Sequence, residues 1–446
     1  MLQIFQLPVN HLVIHIVASL SLSLLLAFVH LPVLLLQGLH TYIHPDSTSQ
    51  KQNGGAKAAI RRPSSGSDIQ SELRKRTSSG PKSKDRSEFD EANAQIFRLS
   101  LDVGHLQTRL FFNDYRYCFI YSSLAMSNMV LYKLLRDGTE KNGILEDGSS
   151  IVVTIFGIVS LSKNVLSLGK IFWEKSAYRS SEKQWSFILG FLGFCLGLLV
   201  FSGVARSVLD FDLGDFNSVF GKVFFAFLMG CLAGFLFVPA GKNARSFWLG
   251  TDQLRSNLDI LSCGRISRFI LYANLLFGIF TPLLWVNQVN SILILKSHEL
   301  PHSRDSLTGN VGFKDSDFHR IRIFCLMICG FLQLVSLRQN IQMFLNEALL
   351  SWYQRLHSSK SPDLAFSRAK VFLHNHFLCA SVLQFLSPPL LLLAFLGLSQ
   401  MNAQPWLLTS FLQNSCLLMA WWVSFIWAAF TLVHLSLYRH GFVTIS

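Results

Sequence analysis

Five stretches of nineteen residues or more contain no Asp, Glu, Lys or Arg: residues 1–45, 184–205, 223–241, 269–295 and 371–438. Hydrocarbon about 30 Å thick is crossed by roughly 20 apolar residues in helical form. A helix is also the form in which a single segment satisfies its own backbone polar groups away from water. The last run is long enough for two crossings. A soluble chain of 446 residues, half of them hydrophobic and only 15% charged, would lack the polar surface to cover its core. The pattern therefore specifies an all-α, polytopic membrane protein.

Nine crossings fit, at about 11–36, 116–135, 150–172, 185–206, 221–241, 268–294, 320–338, 371–398 and 407–437. The organisation that follows is a first transmembrane helix within 1–37, a polar loop over 38–115, and a bundle of about eight helices over 116–446. The first apolar run lacks a positive n-region and is too long for a signal peptide, so it reads as a retained helix. Lys and Arg gather on the odd-numbered loops and after the last crossing, an excess that persists when the long first loop is left out. The positive-inside rule then makes those loops and the C-terminus cytoplasmic and the N-terminus non-cytoplasmic. The net charge of +13 reflects loops facing anionic lipid rather than a nucleic-acid partner.

Residues 46–90 are rich in Ser, Lys, Arg, Gly and Gln and hold few large apolar side chains, a composition that predicts disorder. Within them RRPSS (Arg61–Ser65) and RKRTSS (Arg74–Ser79) place Ser64, Thr77 and Ser78 just after basic residues, as phosphorylation by basophilic kinases prefers. Phosphate there would weaken attraction to an anionic leaflet.

Signatures of chemistry are sparse. There is no Walker loop, His-Glu-x-x-His, Cys-x-x-Cys or Gly-x-Ser-x-Gly. His11 and His15 lie four apart, and His374 and His376 open the eighth crossing; neither pair has an evident third metal ligand. Seven of the eight cysteines fall in apolar segments, which suits buried free thiols. No catalytic, cofactor or metal site is expected. Lys163 stands out: it lies within the third crossing, and every carboxylate of the chain is in a loop or at a helix end. An intramembrane cation by default marks a pathway or a buried partner. Amides supply the other polar features, with Asn274, Gln333 and Gln384 inside crossings. Pro388 and Pro389 should kink the eighth.

In SLRQNIQMFLNEALLSW (Ser336–Trp352), Arg338, Gln342 and Asn346 recur every four residues beside an apolar stripe of Ile341, Phe344, Leu345, Ala348, Leu349 and Trp352. This periodicity predicts one helix over about 320–356, with an amphipathic cytoplasmic extension at 339–356. Its polar stripe is a candidate partner contact or helix-anchoring network; an amphipathic helix resting on lipid fits equally well.

Several of these segments resemble a known family. GFLFVPAGKNAR (Gly234–Arg245), NLLFGIFTPLLWV (Asn274–Val286), LRQNIQMFLN (Leu337–Asn346), LQFLSP (Leu383–Pro388) and RHGFVT (Arg439–Thr444) resemble, in order and spacing, segments of the transmembrane protein 161 family. The resemblance implies a multi-pass protein of endomembranes or the cell surface without an established biochemical activity. Animal members are associated with ion currents in excitable cells and with tolerance of oxidative stress.

Two functions follow as expectations. The first is a non-enzymatic membrane protein that modulates or scaffolds other membrane proteins. The alternative is a transporter or channel with a polar path near Lys163, Asn274, Gln333 and Gln384. A lipid-modifying enzyme ranks third, because the His and Asp residues do not converge.

Overall fold

The computed structural model describes residues 9–43, 96–139, 148–174, 180–211, 219–251, 264–289, 315–358, 365–401 and 410–441. Ser64, Thr77, Ser78 and the stretch 46–90 lie outside the described residues, as does Cys263. The chain runs α1 (Val9–Val29), α2 (Leu31–Leu36), β1 (His40–Ile43), β2 (Phe97–Ser100), α3 (Val103–Gln107), α4 (Phe112–Thr139) and α5 (Gly148–Trp173). It continues with α6 (Ser180–Phe201), α7 (Val219–Thr251), α8 (Arg265–Leu283), α9 (Asp315–Ser358), α10 (Ala365–His376), α11 (Leu378–Ser399) and α12 (Ser410–Arg439). Among the described residues, eight helices are long and apolar enough to cross a membrane: α4 to α9, α11 and α12. The protein is a polytopic helical membrane protein.

Three expected crossings are interrupted; the sixth, 268–294, leaves the helix after Leu283 and holds an isolated bridge from Val286 to Leu209. The first breaks at His30, a non-glycine residue with φ 53°, and resumes as α2. Pro32 explains the break, since its ring would clash with the carbonyl of Phe28 in a continuous helix. The eighth breaks at Phe377 and not at its prolines: α11 runs on through Pro388 and Pro389. What precedes Phe377 is the separate helix α10, with Phe366, Phe372 and Leu373 exposed.

α11 is the hub of the bundle. Its described apolar window is wholly buried, from Leu378 to Leu396. The helices of lowest burial, such as α6, present Trp185, Phe187, Ile188 and Phe191 outward, as lipid-facing surfaces do. α6 and α7 pack through small residues. Gly190, Gly193 and Gly197 meet Ala226, Gly230, Ala233 and Gly234 so closely that a Cβ on Gly230 would lie 2.8 Å from the Gly190 carbonyl oxygen. Such contact lets backbones approach where hydrophobic exclusion gives no help.

The fold also departs from purely helical expectation. β1 and β2 form a two-stranded antiparallel ladder, His40 opposite Ser100 through Ile43 opposite Phe97. The 44-residue helix α9 extends about 66 Å and reaches this ladder.

Candidate functional site

At α9 the polar stripe grips the ladder. In an antiparallel pair alternate residues of a strand turn their backbone groups to the neighbouring strand and away from it. His40 and Tyr42 turn theirs away from β2, leaving an open edge. The Gln342 carboxamide accepts from the His40 N–H at 2.9 Å and donates to the His40 carbonyl at 3.2 Å. Asn375 of α10 donates to the Tyr42 carbonyl at 2.6 Å and accepts from the Thr41 hydroxyl. Asn346 accepts from both the Tyr42 hydroxyl, at 3.1 Å, and Gln342 Nε2, at 2.9 Å. Two side-chain amides thus replace a third strand. Arg338 donates from Nη2 to the Gln37 carbonyl at 3.2 Å, one turn earlier on the same face.

The neighbouring stripe is buried within the chain itself. Ile341, Phe344, Leu345, Ala348, Leu349 and Trp352 are all at most 6% exposed. Trp352, Leu349 and Ala348 pack with Tyr42 and Val371. The stripe therefore has neither a free partner face nor a lipid-resting one.

Beside the clamp lies a buried ionic cluster that the sequence reading passed over. Glu347 follows Asn346 on α9 and its side chain is 5% exposed. Arg245 Nη1 approaches its Oε1 at 3.7 Å and Lys370 Nζ at 3.4 Å. Arg245 also reaches Glu182 of α6 at 3.7 Å and donates from Nε to the Tyr438 hydroxyl at 2.6 Å. One turn before it, Lys242 donates to Gln384 Oε1 at 2.7 Å and Ser381 Oγ at 3.0 Å. Phe344 lies between Lys242, 5.2 Å from its centroid, and the His374 ring, stacked at 4.6 Å. His374 Nδ1 donates to the Lys370 carbonyl at 2.9 Å, which assigns the proton to that nitrogen. Burial pushes the His374 imidazole down to about 4, against the opposing pull of Glu347. Six helices are thereby joined: the starts of α6 and α11, the C-terminal parts of α7, α9 and α12, and α10. The signal was present in GKNAR and in the single carboxylate of the α9 stripe.

The other candidates have separate settings. Asn274 of α8 lines a cavity of about 20 Å³ with Asn243, Asn340 and Thr431, room for one water. Asn340 donates to Asn243 Oδ1 at 3.0 Å, while the Oδ1 atoms of Asn274 and Asn340 are buried without a hydrogen bond. Gln333 donates to Cys329 Sγ at 3.4 Å and is 6% exposed. Lys163 is not without a counter-ion: Asp114, in the first turn of α4, lies 3.5 Å from its ammonium. The flexible stem carries the charge back toward the helix end, which position along α5 alone does not reveal. Lys163, Asn274, Gln333 and Gln384 are thus held by different partners. His15 is buried and its Nδ1 lies 3.0 Å from Asn128 Oδ1, while the His11 side chain is outside the described residues. No group of three His, Cys, Asp or Glu suited to a metal occurs among the described residues.

No curated protein and no solved structure matches the chain. Residues 214–417, just under half of it, match the family model described as predicted transmembrane protein 161AB. That segment holds α7, α8, α9 and α11, with Lys242, Arg245, Gln342, Asn346, Glu347 and Gln384. The matched region therefore carries the α7, α9 and α11 residues of the clamp and the ionic cluster, and over residues 214–417 the chain is similar to the transmembrane protein 161 family.

Proposed function

We propose that the protein is a non-enzymatic membrane scaffold or modulator that acts through other membrane proteins. One observation carries this reading: a set of polar side chains at one end of the bundle is spent on the chain itself. Gln342, Asn346, Lys242, Gln384, Arg245 and Glu347 tie helix ends and the ladder together. Such a device fixes the geometry of one face of the bundle. By the positive-inside count that face is cytoplasmic. Regulation of an ion current through a membrane-protein partner is the form suggested by the family resemblance; stress tolerance would follow from the same docking.

Transport is the second reading, favoured by the asparagine-lined cavity at Asn243, Asn274 and Asn340. Its size matches a bridging water. Purification in mild detergent after gentle crosslinking distinguishes the two. The scaffold reading expects a stoichiometric second membrane protein whose recovery falls when the Glu347 cluster is broken. A single-component particle with a widened, solvent-filled cavity at Asn274 would overturn it.

A further inference from the structure

We infer that Lys163 and Lys170 form a binding site for the headgroup phosphate of an anionic phospholipid on the outer face of α4 and α5. Both ammoniums converge on one oxygen, Asp114 Oδ1, at 3.5 and 3.0 Å. Two cations sharing one carboxylate oxygen leave one positive charge in excess and repel each other, so a second anion completes the site. The residues are seven apart, two turns and about 10 Å along α5, and the side chain of Lys163 reaches toward the helix end to join Lys170.

The surroundings select the source of that anion. Leu166, between the two lysines on the same face, is 64% exposed, and Tyr117 of α4 is 48% exposed. Lys163 Nζ lies 5.5 Å from the Tyr117 centroid. Trp173, one turn beyond Lys170, is 71% exposed, in the manner of an interfacial aromatic anchor. A charged floor with apolar walls, opening sideways from a helix pair at the membrane boundary, fits a phosphate with acyl chains attached. The loop charge count assigns this end to the leaflet that carries anionic lipid. This site is separate from the clamp and the ionic cluster and does not depend on the scaffold reading.

The test uses the purified full-length chain, delipidated in detergent and titrated with phosphatidylglycerol or phosphatidylcholine while bound lipid is counted by native mass spectrometry. Phosphatidylglycerol should bind at least about tenfold more tightly, and a Lys163→Gln/Lys170→Gln double variant should lose that preference. Lys163→Arg/Lys170→Arg should keep it. Asp114→Asn, which removes the competing carboxylate, should bind phosphatidylglycerol several-fold more tightly, an effect that structural damage would not produce. If the double variant elutes as an aggregate, the exposed single change Lys170→Gln and Asp114→Asn carry the test. Retained preference in the lysine variants, or weaker binding by monodisperse Asp114→Asn, would overturn the site. Competition by inorganic phosphate as strong as by the lipid would also overturn it, as a plain anion site.

Discussion

Gln342 and His40 are separated by 302 residues, yet the side-chain amide of one closes both backbone hydrogen bonds of the other, at 2.9 and 3.2 Å. The glutamine does for β1 what a neighbouring peptide would do in a wider sheet. The ladder that closes the first loop is thereby anchored to the helix that spans the bundle.

Gln342→Ala leaves the His40 N–H and carbonyl without protein partners at a half-buried edge, which costs about 1–3 kcal/mol. Gln342→Glu keeps the acceptor and removes the donor, so it should fall between Ala and wild type. Hydrogen exchange of the His40–Ile43 amides in detergent reads this directly. Protection at His40 should drop in Gln342→Ala and be better kept in Gln342→Glu, which retains the acceptor of that amide, with the helical amides of α11 unaffected.

Glu347 is held by Arg245 and Lys370 and is almost inaccessible. Removing one member of a fully buried ion pair costs about 3–5 kcal/mol, an upper bound here because Arg245 is 31% exposed and keeps Glu182. Glu347→Leu should lower the thermal unfolding midpoint strongly, whereas Glu347→Leu with Arg245→Met should recover part of the loss. A double variant whose loss equals the sum of its singles would show that the pair is not coupled.

The α6–α7 contact tolerates no side chain at Gly230, where a Cβ would meet the Gly190 carbonyl oxygen at 2.8 Å and Phe194 Cβ at 2.9 Å. Gly230→Ala should destabilise by roughly 1–3 kcal/mol through overpacking. Gly278, whose Cβ would meet nothing within 4 Å, is the control. Equal midpoints for Gly230→Ala and Gly278→Ala would refute the close packing.

His374 is held neutral, its imidazole pushed down to about 4 from 6.5 by burial beside Lys370 and Lys242, while Glu347 pulls the other way. The unfolded chain then binds the proton more readily than the folded one. Stability is complete above about pH 6.5 and is lost as pH falls toward 4. His374→Phe keeps a ring against Phe344 and removes the titration. The difference in unfolding midpoint between pH 7.5 and 5 should shrink in that variant; an unchanged difference would assign the acid sensitivity elsewhere.

Much of this architecture is legible in the sequence, because absence of charge over a membrane thickness leaves few alternatives to helix. The continuous helix through Ser336–Trp352 is legible for a similar reason: its apolar and amide residues keep one helical period. The strands are not. HTYI and FRLS are four residues each, and their pairing is specified by amides more than 240 residues away, on α9 and α10. The break at His30 was readable from Pro32, whereas the one at Phe377 has no such local mark. Lys163 misled because position along a helix does not say where a long side chain ends. Lys242, Arg245 and Glu347 each look like a boundary charge in its own segment, and only tertiary packing brings them together.

On the proposed scaffold function, the polar interior of this bundle ties helices together and does not line a path. Ion flux through proteoliposomes holding the purified chain as their sole protein tests it most directly. Na⁺, K⁺ and Cl⁻ flux should be no greater than in empty vesicles, for the wild type and for Asn274→Leu alike. Flux above that level that disappears in Asn274→Leu or in Lys242→Met would contradict it.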